Sequence, residues 1–170
     1  TNYIIFKPEN FQQIAPTEMY RAQEKLLYRF ISNQLVFAYD DKQTLSLNSC
    51  NIVIPKIPGI KIKYVLAILN SRIAQFIYKK DFNSVKVLRS HIENIPIPAA
   101  DNSTQDAIIT LTEKLISGLE ISEAEKLYDE LDILIAKLFN LDLNEIEIIK
   151  NAVDGAVSYT HLRAHETRRH

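Results

Sequence analysis

Glycine is almost missing from this chain: Gly59, Gly118 and Gly155 are the only three in 170 residues. None opens a glycine-rich loop after a strand. The sequence therefore shows no dinucleotide cradle, P-loop or methyl-donor loop of the kind that brings backbone amides up to a phosphate or cofactor. Cysteine is rarer still. Cys50 stands alone, which excludes an internal disulfide, points to a cytoplasmic setting, and is expected to be a small buried strand residue. No apolar run approaches the roughly 20 residues of a membrane helix, and no secretory signal is visible. Three of the four histidines, His161, His165 and His170, fall in the last stretch of the chain, and His91 stands by itself. No Cys/His cluster elsewhere has metal-ligand spacing, and a lone His without a nucleophile or acid beside it makes no catalytic constellation. The expectation is no catalytic residue, no metal site, no cofactor bound by this chain and no membrane association.

What is present is a globular composition, 46% hydrophobic, well above the range of disordered chains. Residues 157–170 break every pattern before them, with no apolar period and no cap. They resemble the read-through of a transposon-type sequencing adapter, and such scars are kept out of fold reasoning. Residues 1–156 are expected to be the natural part, with Thr1 following a truncation. That length fits one domain, or a domain with a small appendage, and suffices for a real core.

The net charge of −1 conceals an asymmetry. Residues 1–98 carry thirteen Lys and Arg against seven Asp and Glu, whereas residues 99–156 carry four against thirteen. A basic half of +6 followed by an acidic half of −9 points to a polyanionic partner for the first half.

The elements divide the same way. Residues 26–31, 35–39 and 50–54 read as strands, rich in β-branched and aromatic side chains. Ile4-Ile-Phe6 reads as the end of another, and 85–88 as one more. Residues 44–47 alternate polar and apolar, so the polar turn 40–43 predicts a hairpin between 35–39 and 44–47. Past the breakers Pro55 to Gly59, apolar residues recur at helical spacing from about 61 to 78 and predict one helix. On it Lys61, Arg72 and Lys79 fall within about 20° of one another. Ile95-Pro-Ile-Pro98 cannot be helix interior and reads as an extended exit. Three helices follow, with start signals at Ser103/Asp106, Ser122/Glu125 and Asp142/Glu145. The expected fold is α+β: a small, mainly antiparallel β domain over 1–98 with one packed helix, then a helical segment over 99–156.

The positive signals are basic residues interleaved with aromatics. Arg21, Lys25 and Arg29 are spaced by four. Lys79, Lys80, Lys86 and Arg89 cluster around Tyr78 and Phe82, and Lys42 and Arg72 add to them. Lysine and arginine neutralise phosphates and release counterions, and arginine also reads guanine edges in the major groove. These nine are the candidate DNA-binding residues. The acidic runs of the helices read as solvated faces.

Three ordered stretches carry a family likeness. The first is Lys25-Leu-Leu-Tyr-Arg-Phe-Ile-Ser-Asn-Gln-Leu-Val-Phe-Ala-Tyr-Asp-Asp41, leading into Leu45-Ser-Leu-Asn-Ser49. The second is Tyr64-Val-Leu-Ala-Ile-Leu-Asn-Ser71, and the third Val87-Leu-Arg-Ser-His-Ile-Glu-Asn-Ile-Pro-Ile-Pro98. Together they resemble the TaqI-like C-terminal specificity domain, over roughly residues 3–98. The stretch 130–146 is similar to the helical end common in such proteins. The resemblance implies a bacterial restriction–modification enzyme whose separate domain, missing here, binds S-adenosylmethionine and methylates an adenine flipped out of the duplex. It implies that the partners of this chain are double-stranded DNA and that methyltransferase domain. Base-reading residues vary across the family, so none is carried over. Two alternatives stay open: a recognition domain of a type I restriction specificity subunit, and a protein-interaction module working through the acidic helices. Ser117-Gly118 and Asn140 interrupt the long spacer helix that the type I reading needs.

Overall fold

A computed structural model describes Lys7, Glu9 and residues 15–46, 49–82 and 84–154. The order of elements is α1 (Thr17–Tyr20), β1 (Lys25–Arg29), β2 (Phe37–Asp40), β3 (Cys50–Val53), α2 (Ile62–Asn70), α3 (Arg72–Phe82), α4 (Arg89–Glu93), α5 (Asn102–Ile116), α6 (Ile121–Leu138) and α7 (Leu143–Asp154). The fold is α+β. The expected strand at Ile4-Ile-Phe6, Gly155 and the stretch 157–170 lie outside the described residues.

The three strands form one antiparallel sheet in the order β2-β1-β3. Leu26 faces Tyr39 on one side and Val53 on the other; Tyr28 faces Phe37 and Asn51. Because side chains alternate along a strand, Leu26, Tyr28 and Phe37 point into a core that also holds Val65, Leu66, Leu69, Ala74 and Tyr78. The opposite face carries Leu27, Arg29, Ala38, Cys50 and Ile52.

The expected hairpin between 35–39 and 44–47 is not formed. β2 pairs with β1 instead, and residues 44–46 are not strand, while Leu47 lies outside the described residues. The cause is Asp40. Its carboxylate accepts the backbone N–H groups of Lys42 at 3.1 Å and Thr44 at 2.9 Å, so the chain turns around a side chain rather than starting a new ladder. Residues 85–88 likewise form no named strand; among the described residues they make one bridge, Lys86 to Ile31.

The single helix expected over 61–78 is two, α2 and α3, broken at Ser71. The Ser71 hydroxyl donates to the Ile68 carbonyl at 2.7 Å and accepts from the Ala74 N–H at 3.2 Å. One short side chain thus closes α2 and caps α3. The break also undoes the alignment of Lys61, Arg72 and Lys79, which needed an uninterrupted helix.

The second half is three helices, as expected, with two starts displaced. Asp101, not Ser103, caps α5 by accepting the Thr104 N–H at 2.7 Å. α6 begins after Glu120 rather than at Ser122 and has no side-chain cap. At α7 the Asp142/Glu145 box forms in both directions, each bond 2.9 Å. Gly118 and Asn140 have φ of +84° and +55°, the left-handed geometry that ends α5 and α6. Ile108, Leu111, Leu131, Ile135, Ile149 and Val153 from these helices share one core with Tyr64, Ala67, Ile68 and Ile73 of α2 and α3. Among the described residues no helix is long and apolar enough to cross a membrane.

Candidate nucleic-acid interface

The nine basic residues singled out by sequence do not share one surface. Lys25 is fully buried. It is paired with the Asp40 carboxylate and donates to the Tyr20 carbonyl at 2.9 Å. Burial pushes the Asp40 carboxyl up, but the hydrogen bonds from Lys25, Thr44 and the Lys42 amide outweigh it and bring it down to about 2. This ion pair pins α1 and the 41–44 turn to the end of β1.

Arg72 is also inside, at the first position of α3. Its Nε donates to Asp154 at 2.9 Å, and its Nη1 to Asp129 at 2.9 Å and Asp132 at 2.6 Å. Burial works against the guanidinium charge, and the Asp132 and Asp154 carboxylates more than restore it, so its pKa lies above the usual value. Lys25 and Arg72 therefore leave the set of cations available to a phosphate. Both serve as internal struts.

The remaining seven lie elsewhere. Arg21 and Lys42 are exposed at the Lys25 end of the sheet, where the Gln43 side chain donates to the Arg21 carbonyl. Arg29 is exposed at the other end of β1, with Lys86 near it through the bridge to Ile31; Arg89 and Lys80 are exposed on α4 and α3, with Lys79 beside Lys80. The segment 84–91 is held there by Tyr78, whose hydroxyl reaches the Ser84 and Lys86 carbonyls at 3.4 Å. The His91 ring stacks on Phe82, with centroids 4.4 Å apart, and its Nδ1 accepts the Leu88 N–H. His91 is thus a packed residue that starts α4. The Nζ of Lys79 is buried with no hydrogen-bond partner among the described residues. Arg89 is tied to Glu93, one turn along α4.

The outer face of the sheet runs between the Lys25 and Arg29 ends of β1. Leu27, Cys50 and Ile52 are half-buried there, and Ala38 and Arg29 are exposed. Partial burial raises the Cys50 thiol, with neighbouring Arg29 pulling the other way. The inner face is locked by two amides. The Asn70 side chain accepts from the Phe37 N–H and donates to the Phe37 carbonyl, both at 3.0 Å. Gln75 does the same for Leu35, at 2.9 and 2.6 Å. The two amides thereby stand in for a missing neighbour strand. That gives the Leu69-Asn70-Ser71 stretch its physical meaning: Leu69 fills the core, Asn70 grips β2 and Ser71 turns the helix.

Sequence reading missed the residues whose partners are remote. Gln105 on α5 accepts the Lys61 N–H at 2.9 Å and donates to the Gly59 and Ala100 carbonyls. The Tyr64 hydroxyl donates to the Pro98 carbonyl at 2.8 Å. Together these fix the extended exit at 95–98. The strand expected over 26–31 ends at Arg29, and Ile31 beyond it makes the bridge to Lys86 and is 65% exposed. Two cavities open elsewhere: one of about 270 Å³ between α3, α6 and α7, walled by Ile73, Ile133, Ala136 and Ile149, and a more open one of about 590 Å³ beside Lys61 and Lys63. Lys61 and Lys63 are already paired with Asp106 and Glu113 of α5. No group of His, Cys, Asp or Glu among the described residues could hold a metal ion.

Comparison with known families matches residues 1–97 to the TaqI-like C-terminal specificity domain. A search of curated proteins finds no match. The matched stretch contains the sheet, α1 to α4, the two amide clamps and every one of the nine basic residues.

Proposed function

The chain belongs to the TaqI-like C-terminal specificity domain family, and we propose that it is the DNA-reading module of an adenine-specific DNA methyltransferase in a restriction–modification system. DNA sequence recognition follows from the family. In this reading the methyl transfer belongs to a separate domain that would hold S-adenosylmethionine, as the family resemblance implies. The observation that carries the reading is the family match over residues 1–97, because the charge pattern alone does not define a single groove.

The geometry supports a docking mode. The ends of β1 lie about 13 Å apart at roughly 3.3 Å per residue, close to the ~12 Å width of a B-DNA major groove. In this mode Arg21 and Lys42 on one side and Arg29, Lys80, Lys86 and Arg89 on the other would grip phosphates, with side chains between them reading base edges. The acidic helices α5 to α7 would then face away from the duplex, welded to the module through Arg72. A type I specificity subunit needs one long spacer helix at this point, and α5 ends at Ile116 with Gly118 in the left-handed region.

The test is the reading frame around this chain together with its binding. An in-frame Asn-Pro-Pro-Tyr methyltransferase segment upstream, and binding of the chain to duplex DNA in fluorescence anisotropy, are the expected results. A frame lacking any methyltransferase segment would contradict the assigned parent; a folded chain that ignores duplex DNA would contradict the reading itself.

A further inference from the structure

Three apolar side chains stand out in solvent where the cations gather: Ile31 at 65% exposure, Val85 at 70% and Leu88 at 41%. Single exposed hydrophobics are ordinary on a protein surface. These differ in being fixed and bordered by charge. Ile31 and Lys86 form an antiparallel bridge, with the Ser32 N–H donating to the Val85 carbonyl at 3.0 Å and the Val87 N–H to the Phe30 carbonyl at 2.8 Å. In this pattern Ile31 and Lys86 are the closely spaced pair with side chains on one face. Val87 is buried and anchors the segment, while Lys86 reaches over the Phe30 ring, 6.0 Å from its centroid. Arg29 lies two residues before Ile31 and so on the same side of the strand. Neither Arg29 nor Lys86 forms an ion pair among the described residues.

We propose that Ile31 is an apolar base-reading contact, packing on the 5-methyl group of a thymine in the major groove, while Arg29 and Lys86 beside it hold the flanking phosphates. This rests on the DNA-reading assignment above. The major groove is the surface on which a base pair presents an apolar group, the thymine methyl. The cations on either side supply the charge complementarity that brings the backbone there. β-branched side chains are stiff at χ1, so Ile31 meets the duplex with little of that freedom left to lose. The site recognised by this chain would then contain thymine at the position it covers.

The experiment uses the full chain. Duplexes are selected from a random library, then resynthesised with deoxyuridine in place of thymidine, which removes only the methyl. The wild type is expected to bind the uracil duplex about fourfold more weakly for each methyl contacted, the worth of one buried CH₂. The variant Ile31→Ala should bind both duplexes equally, while Arg29→Ala should weaken both alike and keep the preference. Discrimination that survives Ile31→Ala, or a wild type indifferent to the methyl, overturns the inference while leaving DNA binding intact. A library that never enriches counts in the same way. Absence of any duplex binding by the folded chain overturns the DNA reading and this inference together.

Discussion

Arg72 and Asp132 meet twice: the backbone N–H of Arg72 donates to one carboxylate oxygen at 3.2 Å and its guanidinium to the other at 2.6 Å. The contact joins residues 60 positions apart and ties the start of α3 to the middle of α6. Asp129 and Asp154 complete the cluster, and Lys150 pairs with Asp129 at 2.9 Å.

Removing the arginine would leave three carboxylates gathered around an empty centre. Breaking a buried pair from one side typically costs about 3–5 kcal/mol, so Arg72→Ala should lower the urea midpoint sharply. Arg72→Lys should recover little, because one ammonium cannot serve the three directions that the guanidinium does. A midpoint unchanged in Arg72→Ala would show that the cluster does not join the helices to the sheet.

The Asp40 carboxyl, held at about 2, gives a pH signature. A depressed acid contributes its stability fully above the unfolded value near 4 and loses it as pH falls through the folded value. The contribution is on the order of 2 kcal/mol. Unfolding free energies of wild type and Asp40→Asn should therefore differ clearly at pH 6 and converge between pH 4 and pH 2. A gap that stays constant across that window would assign Asp40 no linked proton.

The amide clamps predict a local effect. Gln75→Leu removes both bonds to Leu35 and leaves its buried N–H unsatisfied, at a cost of roughly 1–3 kcal/mol. Hydrogen exchange should accelerate at the Leu35 amide and much less at Phe37, which Asn70 still holds. Equal acceleration at both would mean that the two clamps open as one unit.

Lys79 should show the opposite sign. A buried ammonium without a partner is a liability, so Lys79→Met is expected to raise the thermal midpoint, by the equivalent of about 1 kcal/mol. A lowered midpoint would indicate that the charge at this position is compensated in solution.

These residues also mark what a sequence can disclose. The Asp142/Glu145 box was legible because both partners lie within one helical turn, where spacing fixes geometry. The strands expected over 26–31, 35–39 and 50–54 from their β-branched and aromatic content correspond to β1, β2 and β3 with shifted ends, and three helices after 98 were legible from their apolar period. Lys25 and Arg72 were not legible as struts. Their carboxylate partners are 15 and 60 residues away, and an unpaired cation and a buried one look alike in one dimension. The break at Ser71 was hidden because the apolar period resumes on α3 almost in phase. The alternation at 44–47 mimicked a strand, with no local sign that the Asp40 side chain would take the backbone amides first. For the candidate interface, the basic excess of the first half was visible, but not the burial of Lys25 and Arg72, nor the exposure of Ile31 and Val85.

The central claim is that the cations left at the surface hold a DNA backbone. Equilibrium binding of the folded chain to duplex DNA across a salt series tests it most directly. The logarithm of affinity should fall linearly with the logarithm of salt, by about 0.9 for each phosphate contacted. The double variant Arg29→Ala/Lys86→Ala should bind more weakly, with a slope shallower by about 2. Affinity that does not change with salt, or a slope untouched by that variant, would contradict the account.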